Sequence, residues 1–310
     1  MQATEISWTD FSSNPIRYRD ATGRVVWACV HASDGCIHCY AETLAHRYGK
    51  GGPFTANVTA KVTPFLDEKE MRILLTSSKL TGKRVFLGDM TDVFGEWVPD
   101  EMLASLFAVL FARPDVMFQI LTKRADRMRG FMTALYDQSF DAGWARTGIL
   151  PNVWLGVSVE DQRRADERIP LLLETPAAVR FLSCEPLLGP LNLKDYAFRC
   201  ENVVHDEPDW DGDIVEQKSA LHWVIVGGES GPGARPCSLR DVRRIVRDCQ
   251  QAAVPVFVKQ LGARPCSPSC ADPACTHPDC DPGWLKLHDP KGGNPDEWPK
   301  DLRVREYPDA

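Results

Sequence analysis

The stretch WVIVGGESGPGARPCSLRDVRRIVRDCQQAAVPVFVKQ, Trp223–Gln260, decides the fold. It opens on a short continuous apolar run, Trp223–Gly228, crosses a polar glycine-rich turn, and closes on a second apolar run, Val254–Gln260. Between them Ser238 stands where it can cap a helix, and Leu239, Val242, Ile245 and Val246 recur at helical spacing. Apolar runs of strand length joined through an amphipathic helix are the pattern of a parallel sheet buried on both faces.

The same unit recurs along the chain. Arg24–Ala28, Arg84–Gly88, Val116–Leu121, Asn152–Val159 and Val179–Cys184 read as further strands, and PDEMLASLFAVLFAR, with Pro99 and Asp100 at its amino end, as a helix between two of them. The prediction is an α/β fold: a barrel or open sheet of six to eight parallel strands. A chain of 310 residues that is 44% hydrophobic has enough apolar surface to bury such a core. The acidic segment Asp195–Ser219 reads as an insertion, and 263–283 as a second, cysteine-rich one. Residues 1–262 then form the barrel, and 284–310 an extension packing on it.

Charge and composition narrow the classes of function. A net charge of -7 with scattered basic residues argues against a general electrostatic nucleic-acid binder. RRADERI, RDVRRIVRD and LTKRADRMRG leave open a local basic groove, against the plainer reading as solvated helix faces. The amino terminus has neither a basic start nor an apolar run, and no later stretch has the length of a membrane span, so a soluble, cytoplasmic protein without membrane contact is expected.

Polar residues cluster just beyond the strands: Asp89 and Asp92, Thr122–Asp126, Ser158 with Glu160, Glu185, then Gly227, Gly228, Glu229 and Arg235, and finally Lys259. Each alone is an ordinary cap, turn or ion-pair residue. Placed repeatedly at the carboxyl ends of parallel strands, they mark a candidate site. The glycines of GGESGPGARP permit close approach of backbone to a ligand or a tight turn, but their spacing is not the dinucleotide fingerprint.

CVHASDGCIHCY, Cys29–Tyr40, puts Cys29, Cys36 and Cys39 in one loop, with six and then two residues between them. The chain is long and its eleven cysteines are an odd number, so clustered thiols read as metal ligands rather than a disulfide framework. The spacing admits zinc, with His31, His38 or His46 as a fourth ligand, or an iron–sulfur cluster with one iron left open. A second group, Cys266, Cys270, Cys275 and Cys280, suits structural zinc or an auxiliary iron–sulfur cluster. Cys184 and Cys249 read as buried small hydrophobes.

Cys29, Cys36 and Cys39 with Tyr40, Ala41 and Glu42, together with ISWTDFSSNP, FQILTKRADRM, NVWLGVSVE, FLSCEPLLGP, VIVGGESGPGARP and KGGNPDEWPKDLRVREYP, resemble the phage Gp37/Gp68 family. That family resembles divergent radical S-adenosylmethionine enzymes of the spore photoproduct lyase type. The cysteine spacing departs from the usual three-then-two pattern of such enzymes, and Gly35 eases the turn of the longer loop. The resemblance implies a radical SAM-like partial (β/α) barrel and a 4Fe-4S cluster on Cys29, Cys36 and Cys39, with S-adenosylmethionine on the open iron. It also implies a cellular electron donor and hydrogen abstraction from a substrate. Asp89, Asp92, Ser158, Glu160, Glu185, Gly227, Gly228, Glu229, Arg235 and Lys259 are then candidates to hold the cofactor. A base of DNA or RNA, or a nucleotide, is the expected substrate. The alternatives are a radical enzyme acting on a peptide or small metabolite, and a zinc-bound structural or nucleic-acid-binding protein without turnover.

Overall fold

The computed structural model describes residues 2–141, 149–197, 200–204, 215–267 and 283–308. The fold is mixed α/β, a curled sheet of parallel strands flanked by helices, in the manner of a partial β/α barrel. The chain divides into two compact units, Met1–Glu160 with Asp166–Val179, and Asp161–Ala165 with Arg180–Ala310.

Among the described residues of the first unit, the parallel strands are β1 (Phe11–Ser13), β2 (Arg84–Leu87), β3 (Met117–Thr122) and β4 (Val153–Ser158). They pair side by side in that order, with Ser12, Phe86, Gln119 and Trp154 in one register row. Helices α1 (Tyr40–Arg47), α2 (Glu68–Thr76), α3 (Asp100–Phe111) and α4 (Ala125–Asp141) occupy the connections. Alternation along the strands sorts the side chains. Val85, Leu87, Phe118, Ile120, Val153, Leu155 and Val157 lie buried on one face, and Ser13 on that face donates to Glu70 of α2 at 2.7 Å, so this is the face the helices cover.

One strand lies elsewhere than expected. Arg24–Ala28 does not enter the parallel sheet; only Val25–Val26 is strand, and it pairs antiparallel with Ile16–Arg19 in a separate three-stranded sheet completed by Thr63–Leu66. The cause is local. Asp20 accepts from the Thr22 and Arg24 amides, and Gly23 takes φ +82°, closing a hairpin that commits Val25 and Val26 to their neighbour in sequence. The first parallel strand is instead Phe11–Ser13, whose three residues are too few to show a period.

Among the described residues of the second unit, β5 (Val179–Cys184, in this unit from Arg180 on), β6 (Trp223–Gly227) and β7 (Val256–Gln260) are parallel, with β6 in the middle. Helix α6 (Leu239–Gln251) precedes β7, capped by Ser238, whose hydroxyl accepts from the Asp241 amide at 3.3 Å. The carboxyl-terminal segment lies along these strands: Glu306 bonds the Val256 amide and the Trp223 indole, and Tyr307 packs on Trp223 and Phe257. Within the acidic insertion, Cys200–Val204 and Val215–Ser219 pair as an antiparallel ribbon. Helix α5 (Gln162–Leu173) contributes residues to both units. No described helix is long and apolar enough to cross a membrane.

Candidate functional site

The cysteine loop of the first unit is clamped from both sides. Ahead of it, the Trp97 indole donates to the Tyr18 hydroxyl, Tyr18 bonds Thr91, and Thr91 donates to the Ala28 carbonyl at 2.8 Å. At the loop itself, Thr59 donates to the Cys29 carbonyl and Arg124 to the Val30 carbonyl, each at 2.8 Å. Further on, the chain makes a single 3-10 turn, Asp34–Cys36, and Cys39 stands immediately before α1. Beneath the loop, Ala41, Ala45, Phe54 and Met90 form a small core on which Cys29 and Cys39 pack.

Two acidic residues hold this arrangement. Asp92, just past β2, accepts from the Thr122 hydroxyl and the Phe94 amide on one oxygen, and from the Lys123 amide and the Arg124 guanidinium on the other. Arg124 also reaches Glu96 and lies over the Trp97 ring. Glu160, just past β4, accepts from Arg168 at 3.0 Å and from Ser33 at 2.6 Å, with the Lys123 ammonium 3.6 Å away. Arg168 donates as well to the carbonyl of Ser158. Gly35 lies so close to Glu160 that a Cβ there would fall on the carboxyl group, so the turn before Cys36 rests directly on it. Asp89 accepts from Asn14 and, through its carbonyl, from Tyr40.

Cys29, Cys36 and Cys39 are free thiols, half-buried and near enough to feel one another electrostatically. Burial and the Asp92 carboxylate push the Cys29 thiol up to about 12, against the pull of Arg124. Burial also raises Cys39, opposed by the Glu42 and Ala41 amides at the start of α1 and by Lys123. Burial raises the Asp89 carboxyl, partly offset by Asn14. His31, one of the histidines considered as a zinc ligand, instead bonds Glu42 at 2.7 Å. Among the described residues, no three His, Cys, Asp or Glu side chains stand in a grouping that could hold a single metal ion.

In the second unit the strand-end charges neutralise each other. Lys259 donates to both oxygens of Glu185, at 2.7 and 2.8 Å. Glu229 accepts from the amide, Nε and Nη2 of Arg235, folding GGESGPGARP back on itself with Gly231 and Gly233 at positive φ. The close approach permitted at Gly228 is made by the chain itself, since a Cβ there would meet the Leu261 carbonyl and Cys237. Gly227 similarly abuts Gln260 and Glu185.

Of the second cysteine group, Cys266 is buried on a two-residue strand beside Cys237–Ser238, and Cys270, Cys275 and Cys280 lie outside the described residues. Cys184 and Cys249 are fully buried, as small hydrophobes are. Two residues of the first unit escaped sequence reading. Arg168 sits in a charged helical run that looks solvent-facing, yet it is buried against Glu160. Gln119 sits inside an apolar strand and is fully buried. A lone polar residue amid β-branched and aromatic ones was the available signal for Gln119; for Arg168 there was none.

Three thiolates are the donor type of an iron–sulfur cluster and of zinc alike. Tetrahedral zinc needs sulfurs about 3.8 Å apart, from a Zn–S bond of about 2.3 Å. A cubane attaches each thiolate to a different iron and so takes them further apart. No curated protein and no solved structure shows significant similarity to the chain. The chain belongs to the family described as a protein of unknown function, DUF5131, whose model matches residues 3–273.

Proposed function

We propose that the protein is an iron–sulfur enzyme of the radical S-adenosylmethionine type, acting on a nucleic-acid base or nucleotide. The observation that carries this reading is the set of three free thiols, Cys29, Cys36 and Cys39, in one clamped loop beside two cations. Three thiolates on a four-iron cubane leave one iron for an outside ligand and give the whole a net negative charge. Arg124 and Lys123 are placed to offset that charge, and the Ala41 and Glu42 amides favour the thiolate of Cys39. When bound, the cluster would supply the electron that cleaves a sulfonium carbon–sulfur bond and starts radical chemistry.

The chain's own part is positioning. Asp92 and Glu160 have their oxygens engaged by the protein, so in this reading they hold the loop in place of gripping the cofactor. Thr91, Thr59 and Arg124 fix the carbonyls on either side of Cys29, which sets the direction from which its sulfur is presented. Asp89, which accepts from Asn14 on one oxygen, is in this reading the strand-end acid that meets the ammonium group of S-adenosylmethionine.

The test is turnover. Reduced, cluster-loaded protein should cleave S-adenosylmethionine to 5′-deoxyadenosine and methionine. Deuterium should pass into 5′-deoxyadenosine from labelled single-stranded DNA, duplex DNA, RNA or nucleosides, and Cys36→Ala should stop it. A fully loaded cluster that neither binds nor cleaves S-adenosylmethionine under strong reduction rejects the radical mechanism. Transfer from a peptide or small metabolite alone rejects the nucleic-acid substrate.

A further inference from the structure

The sheet face opposite the helices in the first unit is unlike the aliphatic one. Its central row is Ser12, Phe86, Gln119 and Trp154, in register across β1 to β4. Gln119 is 0% exposed, and neither its Oε1 nor its Nε2 has a hydrogen-bond partner. A buried amide with both groups unmet is costly, since each lost hydrogen bond to water goes unreplaced. Native proteins keep such groups rarely, and their positions call for a partner.

The surroundings of Gln119 say what that partner is. Phe86 and Trp154 flank it on the neighbouring strands, roughly 4.8 Å to either side. Two residues nearer the carboxyl ends, the same face carries Leu121, which is half-buried, and Gly156 beside it. Gly156 carries no side chain above Trp154 but is itself buried, and Trp8 packs on the Phe86 ring at 4.8 Å, so a ligand reaches this face only by moving side chains aside. Gln119 lies about 10 Å below the carboxyl end of β3, three residues at about 3.3 Å each.

We infer that Gln119 reads the edge of a nucleobase that enters this face beside Gly156, displacing Leu121, between the rings of Phe86 and Trp154. A primary amide offers one acceptor and one donor side by side in a plane. The matching ligand offers an adjacent donor and acceptor on a flat ring, as adenine, cytosine, guanine and thymine do. Apolar walls and one polar reader at the floor are the usual make-up of a site for such a ring. The choice of a nucleobase rests on the function proposed above, whereas the unmet amide stands independently. The base comes either from S-adenosylmethionine or from a nucleic-acid strand, and the probes separate the two.

The experiment uses the full chain, with and without reconstituted cluster, and Gln119→Met, which keeps the length of the side chain and removes its hydrogen-bonding groups. Melting temperature is measured alone and with S-adenosylmethionine, adenosine, cytidine, or single-stranded dA, dC and dT homopolymers, and affinities are taken for those that bind. The expected result has opposite signs in the two readouts. Q119M melts about 2 °C or more higher than wild type without ligand, because an unmet buried amide is gone. It binds its nucleobase probe roughly tenfold or more weakly. A Q119M protein that is less stable or unfolded shows the amide satisfied within the fold and overturns the inference. Unchanged affinity for every probe overturns it too, as does a cluster-loaded wild type that binds none of them. Wild type that binds a nucleobase but takes up no cluster instead overturns the proposed radical function and leaves the inference standing.

Discussion

The charged residues just past the strands are used differently in the two units. In the second, Glu185 pairs with Lys259 and Glu229 with Arg235, so acid meets base and the charges are consumed. In the first, Asp92 and Glu160 are likewise consumed by Arg124, Arg168, Ser33 and the Lys123 amide, but what they hold is a loop whose three thiols remain free. Asp92 and Glu160 in the first unit, like Glu185 and Glu229 in the second, are therefore framework. The open chemistry belongs to the cysteines, and the first unit differs in presenting them.

Glu160→Ala should break that framework most severely. Glu160 is 1% exposed and faces a buried guanidinium, so removing it leaves Arg168 charged and unpaired, at a cost of about 3–5 kcal/mol. Urea unfolding would measure it, and a loss below about 1 kcal/mol would show that Glu160 is not the anchor described. Gly35→Ala comes next. Its new methyl group collides with Glu160, so overpacking of about 1–3 kcal/mol and reduced cluster uptake are expected together, read by unfolding and by iron content. Normal iron content in that variant would show the turn to be less tightly coupled to the thiols.

The second unit should respond more mildly. Lys259 and Glu185 are each partly exposed, so Lys259→Met should cost about 1–2 kcal/mol, and adding Glu185→Gln should recover part of it in a double-mutant cycle. If instead Lys259→Met leaves stability unchanged and abolishes binding of S-adenosylmethionine, the pair is a ligand site and the contrast between the units fails. Smallest of all, Cys249→Ala should leave iron content unchanged and cost about 1 kcal/mol of packing, since this thiol is sealed in the core and burial holds it protonated.

Much of this was legible in the sequence, for physical reasons. Long buried strands announce themselves by continuous apolar runs, and Val179–Cys184 has the limits its composition suggests. Phe11–Ser13 does not, because three residues carry no period, and Arg24–Ala28 misled because a DATG turn draws its valines into a hairpin. The cysteine loop was readable from residue type. The partners of Asp92 and Glu160 were not readable. An arginine in a charged helix shows the same letters whether it faces water or a buried carboxylate, and only the packing of Arg168 against β4 separates the two.

What the three thiols hold decides the function of the first unit. Anaerobic reconstitution followed by iron and sulfide analysis should give about four of each per chain at this loop, with broad visible absorption. Replacing Cys29, Cys36 and Cys39 together with alanine should remove that absorption and the associated iron. Zinc alone in anaerobically purified protein, or a full cluster surviving in the triple variant, would contradict this assignment.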